Sequence, residues 1–261
     1  MRVLLVGDVV GEPGRRILKK GLRDLRDRHQ PDVVVVNGEN AAAGNGMTPA
    51  TTKEIFKSGA DVITGGNHSW DRRDILEVID QLPHLLRPAN YPHPAPGRGT
   101  TIFESEQGFR LGVVNLMGRL FMADLDDPFR MADAILEDLA GECDGIVVDF
   151  HAEASSEKQA LGRYLDGRVG AVVGTHTHVP TADARILRGG TAFMTDLGMT
   201  GPYDSIIGVD GDAALQRFLT QRPVRFTPAE HDVRLCGALV ELNPDTGLAR
   251  SIERIEYPDA K

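Results

Sequence analysis

The sequence predicts an α/β fold, a four-layer α/β/β/α sandwich in which two mixed sheets pack face to face with helices outside. The first half alternates short aliphatic runs with amphipathic helical segments, the pattern of strand–helix units in a parallel sheet. The last third has strands joined by turns, such as residues 243–247, which indicates antiparallel pairing. No internal repeat or linker interrupts the 261 residues, so we expect a single domain over residues 1–261.

The composition limits the class of protein. Hydrophobic residues make up 41% of the chain, and the net charge of −9 disfavours stable binding to a nucleic-acid backbone. Two cysteines, Cys143 and Cys236, cannot form a disulfide framework and suit a reducing compartment. Asp8 interrupts the aliphatic N-terminal run, and no apolar stretch reaches membrane-spanning length. We therefore expect a cytoplasmic protein that acts on a small molecule, without a membrane partner.

The predicted elements follow the chain in order. Strands are expected at 2–7, 33–36, 61–64, 101–105, 109–116, 146–150, 169–173, 184–188, 191–195, 233–242 and 249–256, with a short strand near 85–86. Helices are expected at about 14–29, 49–58, 74–80, 128–140, 155–166 and 210–221. The segment 11–14, which contains two glycines and a proline, is expected to form a loop before the first helix.

The first predicted helix carries one strongly basic face. Its cations are Arg15, Arg16, Lys19, Lys20, Arg23, Arg26 and Arg28. A solvated helix surface accounts for this pattern, and a binding face for RNA or another anionic partner remains the alternative.

Two histidines follow the strand predicted at 169–173. In an extended chain residues i and i+2 point to the same side, so we expect His176 and His178 to face one small volume. Two neutral imidazoles at one point are typical metal ligands. The pair is the most specific chemical signal in the sequence.

Five predicted strands end in polar clusters, and open α/β sheets bind ligands beyond the carboxyl ends of their strands. These residues are Asp8; Glu39 and Asn40; Asn67 and His68; His151; His176 and His178. Each residue alone has an ordinary explanation as a turn, a cap or a hydrogen-bonded histidine. Together they can hold two ions, one on Asp8, Asn40 and His178 and the other on Asn67, His151 and His176, with Glu39 as the bridge. Nitrogen and oxygen ligands without thiolate suit manganese, iron or zinc.

Two segments resemble signature blocks of the calcineurin-like metallophosphoesterases: residues 66–68, Gly-Asn-His, and residues 174–178, Gly-Thr-His-Thr-His. The usual Asp-x-His motif lacks its histidine here, after Asp8, and Glu39 stands where the family has a bridging aspartate. Both departures match the YmdB-like family of phosphodiesterases. Further matching blocks are residues 7–8 with 11–15, 37–41, 70–71, 115–119 with 121–122, 149–153 with 156–158, and 195–199.

The resemblance implies a calcineurin-like fold and a phosphodiesterase acting on cyclic nucleotides, above all 2′,3′-cyclic monophosphates. It implies two metal ions, iron or manganese, with a metal-bridging hydroxide attacking phosphorus in line. Asn40 would take the ligand place of the missing histidine, and Glu39 would bridge. His68 would be the general acid, because an imidazole can protonate a departing ribose oxygen near neutral pH. The resemblance also implies a homo-oligomer.

Several alternatives stay open. The same metals would serve a phosphomonoesterase, and the basic helix would serve a regulatory protein that binds a nucleotide or a partner. Trp70 is expected either to stack on a base or to pack, and Asp149 and Glu153 to orient His151. Residues 195–201 either line the pocket or form a plain turn. The remaining histidines are expected at the surface: His29, His84, His93 and His231.

Overall fold

Two mixed β-sheets face each other in the computed structural model, which describes residues 1–258. The strands are β1 (Arg2–Val6), β2 (Asp8–Val9), β3 (Val33–Asn37), β4 (Val62–Thr64), β5 (Thr100–Glu104), β6 (Arg110–Met117), β7 (Gly145–His151), β8 (Ala171–Thr175), β9 (Arg185–Ile186), β10 (Ala192–Met194), β11 (Met199–Pro202), β12 (Val233–Leu242) and β13 (Ala249–Pro258). One sheet has the order β2-β11-β12-β1-β3-β4, with β13 beside β12, and the other has the order β5-β6-β7-β8-β10-β9.

The helices are α1 (Gly11–His29), α2 (Pro49–Lys57), α3 (Pro128–Asp138), α4 (Ser155–Tyr164) and α5 (Gly211–Thr220), with 3₁₀ turns at Arg73–Glu77 and Ile79–Gln81. Thr48 caps α2 with a reciprocal side-chain bond to Thr51, and the carboxylate of Asp127 caps α3. No helix within residues 1–258 combines the length and apolar character needed to cross a bilayer.

Strand direction follows the predicted change along the chain. β1, β3 and β4 run parallel, as do β6, β7, β8 and β10. β12 pairs antiparallel with both β1 and β13. Because the parallel strands of each sheet end at a common edge, the polar clusters that follow them are brought together.

Three apolar layers separate the helices and sheets of the four-layer sandwich. Ile17, Leu18 and Leu22 of α1 pack on the outer face of the first sheet. Between the sheets, residues such as Val3 and Val35 meet Val113 and Val147 of the other sheet. A third layer joins α3 and α4 to the second sheet. The predicted four-layer α/β/β/α fold is confirmed.

The structure corrects the sequence-based prediction in several segments that lack periodicity. Helix α1 already begins at Gly11, where a loop was expected, because Pro13 in the first turn needs no intrahelical N–H bond. The helix expected at 74–80 is two 3₁₀ turns, and Leu85 and Leu86 form only isolated bridges. Within residues 195–201, Met199 begins β11, which pairs in parallel with β2.

Candidate metal centre

The polar clusters lie together at one edge of the sandwich. β3 leads to Glu39 and Asn40, β4 to Asn67, and β7 ends at His151 itself. Asp8 lies in β2, directly after β1. His176 and His178 follow β8, so all seven predicted ligands reach one region.

Three of these side chains surround the imidazole of His151. Its Nε2 lies 3.2 Å from Oε1 of Glu39, 3.0 Å from Oδ1 of Asn67 and 3.1 Å from Nδ1 of His176. One ligand atom each from Glu39, His151 and His176 lies within 4.8 Å of the others. Such convergence of nitrogen and oxygen atoms is typical of a site for a transition-metal ion.

A second group adjoins the first. Nδ2 of Asn40 lies 3.1 Å from Nε2 of His178 and donates to Oε1 of Glu39 at 3.0 Å. Oδ1 of Asp8 lies 3.9 Å from the same Nε2 of His178. Oε1 of Glu39 therefore contacts both groups.

The backbone conformation that places His176 and His178 in the site differs from the prediction. β8 ends at Thr175, and His176 and His178 have positive φ angles of 94° and 65°, so the segment is not extended. The backbone N–H of His176 donates to Oδ2 of Asp8 at 3.1 Å. Nδ1 of His178 lies 2.8 Å from the carbonyl oxygen of Ile207, which orients the ring. The two imidazoles are placed by a bent loop and not by strand alternation.

Burial and neighbouring charges shift the pKa values of four side chains in the cluster. Burial opposes protonation of His151, but Glu39 and Asp8 raise the pKa of this imidazole to about 9. Although burial acts to raise it, the charge and hydrogen bond of His151 lower the pKa of Glu39 to about 2. Burial raises the pKa of Asp8 to about 6, against the lowering effect of His178 and His151. Burial and the neighbouring His151 charge lower the pKa of His176 to about 3.

Asp8 gives an independent test of whether metal fits this donor set. Its carboxylate is fully buried, and among the described residues Oδ1 has no hydrogen-bond partner. An unpaired buried carboxylate oxygen is costly unless a cation compensates it. The site therefore fits a bound cation beside Asp8.

Gly66 provides room for the convergence. A Cβ atom on this residue would lie 2.2 Å from Oε2 of Glu39 and 2.3 Å from Nε2 of His151. Only glycine allows the backbone before Asn67 to approach the two side chains so closely.

Asp149 was expected to orient His151, but two other members of the buried polar network behind this histidine, Asn37 and Thr175, were missed from the sequence. Oγ1 of Thr175 lies 2.9 Å from Nδ1 of His151 and donates to Oδ1 of Asp149 at 2.7 Å. Asn37 donates to Oδ2 of Asp149 at 3.1 Å. Asp149 thus orients His151 through Thr175. The signal in the sequence was the position of Asn37 and Thr175 at the ends of β3 and β8.

A second missed pair fixes the histidine loop. Nζ of Lys158 donates to Oδ2 of Asp196 at 2.6 Å and to the carbonyl of Thr175 at 2.7 Å. The same Asp196 oxygen accepts from the hydroxyl and N–H of Thr177, between the two histidines. Both charged side chains are 1% exposed. Residues far apart in sequence make this pair, so no local pattern predicts it.

His68 lies at the edge of the cluster. Its backbone N–H donates to Oε2 of Glu39 at 3.1 Å, while Nδ1 of its ring lies 2.8 Å from Oδ2 of Asp71. Asp71 was part of a recognised sequence block without a role, and its spacing of three residues from His68 was the available signal. The half-exposed His68 ring borders the site without lying among its buried ligand atoms.

The other residues for which the sequence predicted a role or a position differ in outcome. Trp70 packs against the first apolar layer, with its ring edge-on to Tyr91, which favours a packing role. Glu153 contacts Nε2 of His176 at 3.2 Å rather than His151. His84 is half-buried beside Phe103 and does not lie at the open surface that was expected.

Two cations of the basic face of α1 form ion pairs within the molecule. Arg15 pairs with Glu54, and Arg26 pairs with Asp61 and the carbonyl of Gly59. These contacts support the interpretation of this face as a solvated helix surface with internal ion pairs.

A cleft of about 440 Å³ opens over the cluster. The residues that line it include Glu39, Asn40, His68, His176 and His178. This volume is in the range of sites for small molecules.

The sequence model of the YmdB-like protein family matches residues 4–255. The chain belongs to the YmdB-like family. It is 51% identical over 259 residues to the 2′,3′-cyclic-nucleotide 2′-phosphodiesterase of Bacillus subtilis, covering 99% of this chain and 98% of the relative. The predicted enzyme class, phosphoric ester hydrolase, is confirmed at the level of this family.

Two solved structures share the YmdB-like fold described above. A hypothetical protein from Thermus thermophilus matches with a TM-score of 0.93 and 43% identity, over the whole of both chains. A novel phosphatase from Mycoplasma pneumoniae matches with a TM-score of 0.92 and 33% identity, covering 99% of this chain and 93% of the other. The predicted calcineurin-like metallophosphoesterase fold agrees with these matches.

Proposed function

We propose that this protein is a dinuclear-metal phosphodiesterase that hydrolyses 2′,3′-cyclic nucleotides. The observation that carries the proposal is the position of Glu39, whose Oε1 contacts His151 of one ligand group and Asn40 of the other. The YmdB-like relative from Bacillus subtilis supports the substrate class.

The seven side chains form two ligand sets. Asp8, Asn40 and His178 would hold one ion, and Asn67, His151 and His176 the other, with Glu39 shared. Iron or manganese suits this mixture of imidazole, amide and carboxylate ligands. When bound, two such ions hold the phosphate and supply a nucleophilic water near neutral pH.

The chain's own residues then complete the chemistry. Nδ1–H of His68 donates to Asp71, since a carboxylate only accepts, which leaves Nε2 to deliver a proton to the departing ribose oxygen. Asn37, Asp149 and Thr175 hold His151 in one orientation. In this proposal His68 is the catalytic acid, and the network behind His151 positions a ligand.

The expectations of a cytoplasmic location and of a single domain have partial support. Both cysteines, Cys143 and Cys236, are free, which suits the cytoplasm. The apolar layer between the sheets contains residues from Val3 to Ile252, which supports a single domain. We also infer that the protein forms a homo-oligomer.

The test is hydrolysis of 2′,3′-cyclic AMP by purified protein loaded with manganese or iron, with Glu39→Gln and His68→Ala as variants. Glu39→Gln should lose bound metal and turnover together. His68→Ala should keep its metal and lose about 100-fold or more in kcat, the contribution of a general acid.

Three outcomes would contradict the proposal. Full turnover by His68→Ala would remove the acid assignment. Hydrolysis of nucleoside monophosphates but not of the cyclic ester by the fully metal-loaded protein would make it a monoesterase, and no hydrolysis of either would favour a nucleotide-binding regulator.

A further inference from the structure

Part of the cleft lining forms an apolar wall beside the polar cluster. Ile207, Val209, Phe226 and Pro228 line this wall beside Val10. None of these side chains is a metal ligand or a proton donor, so the chemistry at phosphorus does not explain them. A wall of this kind suits an apolar part of the substrate.

The wall is tied to the metal-ligand cluster by its backbone. The carbonyl of Ile207 lies 2.8 Å from Nδ1 of His178, and Ile206 exchanges both backbone hydrogen bonds with Val209. Asp210 donates its N–H to the carbonyl of Thr227, next to Phe226. The wall therefore keeps a fixed position relative to His178.

Ile207 is held in an unfavourable conformation. Its φ is 48°, in a region that β-branched residues rarely adopt. The conformation directs the carbonyl to His178 while 55% of the side chain remains exposed at the cleft. Strain of this kind is concentrated at functional sites.

Phe226 is the aromatic member of the wall. Its side chain is 48% exposed, and within residues 1–258 its ring makes no aromatic or cation–π contact. The glycine-containing loop with Ala43, Gly44 and Asn45 also lines the cleft, and Gly44 lies beside Pro228 of the wall. Both polar atoms of Asn45 already bond within the protein, to Asp71 and Arg72.

We propose that Phe226 and Ile207 form a nucleobase subsite, in which the base stacks on the Phe226 ring while its phosphate occupies the metal-ligand cluster. This inference rests on the proposed function and names the part of the substrate that gives selectivity. Aromatic stacking tolerates every base because each has a π-face. The subsite therefore selects nucleotides over phosphodiesters that lack a base, without reading one base in particular.

The experiment compares two substrates that share the reacting group. These are 2′,3′-cyclic AMP and the 2′,3′-cyclic phosphate of methyl riboside, which has no base. Phe226→Ala should lower kcat/KM about 10- to 100-fold for the nucleotide and leave the abasic ester unchanged, since stacking contributes about 1–3 kcal/mol per base. Phe226→Trp should retain the nucleotide preference.

Phe218 provides the matched control. It is an exposed phenylalanine, 68% accessible, on α5 and outside the cleft lining. Phe218→Ala should affect neither substrate. Equal losses on both substrates in Phe226→Ala, or no loss on either, would overturn the subsite.

A readout without turnover separates this inference from the proposed function. Saturation-transfer NMR with adenosine on the metal-free protein should show transfer to the base protons, and Phe226→Ala should abolish it. Transfer that persists in the variant overturns the subsite. If wild type hydrolyses neither ester but shows the Phe226-dependent transfer, the subsite stands and the hydrolytic proposal fails.

Discussion

The carboxylate of Asp71 lies 2.8 Å from Nδ1 of His68, and the backbone N–H of the same histidine donates to Oε2 of Glu39. The hydrogen bond to Glu39 thus fixes the backbone position of His68, and the contact with Asp71 determines which ring nitrogen faces the cleft. Asp71 is itself held by Asn45, whose Nδ2 donates to Oδ2 of Asp71 at 3.2 Å. The backbone of His68, the proposed acid, is therefore connected to the ligand cluster. Its side chain is connected through Asp71 to Asn45 in the loop that lines the cleft.

The first prediction concerns this pair. Asp71→Asn should lower kcat about 10-fold or more while metal content stays at the wild-type level, because an amide no longer selects the Nδ1–H tautomer. The measurement is a pH profile of kcat together with metal analysis. The limb of the profile that reports ionisation of the proposed acid should shift along the pH axis. A residue with a merely structural role would not cause this shift.

Asp74→Asn is the control for Asp71. Asp74 is exposed and lies three residues further along, in the first 3₁₀ turn. Its replacement should leave the profile unchanged. Metal loss in Asp71→Asn would instead place this carboxylate among the groups that hold the ions.

The second prediction concerns the hydroxyl that joins His151 to Asp149. Thr175→Val keeps the side-chain volume but leaves three buried side chains, those of His151, Asp149 and Asn37, without this partner. We expect a loss of about 1–3 kcal/mol in the free energy of unfolding and a loss of about 10- to 100-fold in metal affinity. Chemical denaturation of the metal-free protein and metal titration measure the two effects separately.

Thr52 offers a matched control for Thr175. It is also buried, but among the described residues its hydroxyl has no hydrogen-bond partner. Thr52→Val should therefore be neutral or slightly stabilising and should keep metal affinity. Equal behaviour of the two variants would show that the Thr175 hydroxyl does not support His151.

The sequence predicted what local patterns and strand ends can reveal. Aliphatic runs located the central strands, and strand ends located Asp8, Glu39 and His151 because parallel strands deliver their ends to one edge. The loop geometry of His176 and His178 could not be predicted, since positive φ at a non-glycine residue is imposed by tertiary contacts.

Other features were out of reach for a different reason. The strand β11 has only four residues and exists because β2 and β12 lie on either side of it. The Lys158–Asp196 pair joins residues 38 positions apart, and an isolated lysine in a helical pattern is normally exposed. Pairings of this kind depend on the completed fold.

The third prediction tests that buried pair. Lys158→Met should cost about 3–5 kcal/mol of folding free energy, because it leaves the Asp196 charge buried without its partner. Adding Asp196→Asn should recover part of the loss. Urea unfolding of both variants measures the effect, and Lys53→Met, an exposed lysine on α2, should change little. A loss in Lys158→Met no larger than in Lys53→Met would mean that the pair contributes no stability.

The fourth prediction concerns Asp183 and acid stability. Its carboxylate accepts hydrogen bonds from the hydroxyl of Thr181 and from the N–H and hydroxyl of Thr195. Although partial burial acts to raise it, these hydrogen bonds and Arg185 lower the pKa of Asp183 below its ordinary value. The folded state therefore binds this proton less readily than the unfolded chain.

The sign of the pH effect follows from this lowered pKa. The contribution of Asp183 is fully present above its unfolded pKa of about 4 and disappears as the pH falls through the lower folded pKa. Asp183→Asn should lose about 1 kcal/mol at neutral pH and should show a shallower loss of stability below about pH 4 than wild type. Urea unfolding between neutral and acidic pH measures both, with the exposed Asp245→Asn as control. Parallel stability curves for wild type and Asp183→Asn below about pH 4 would contradict the assignment, because a group with a lowered folded pKa must contribute to that slope.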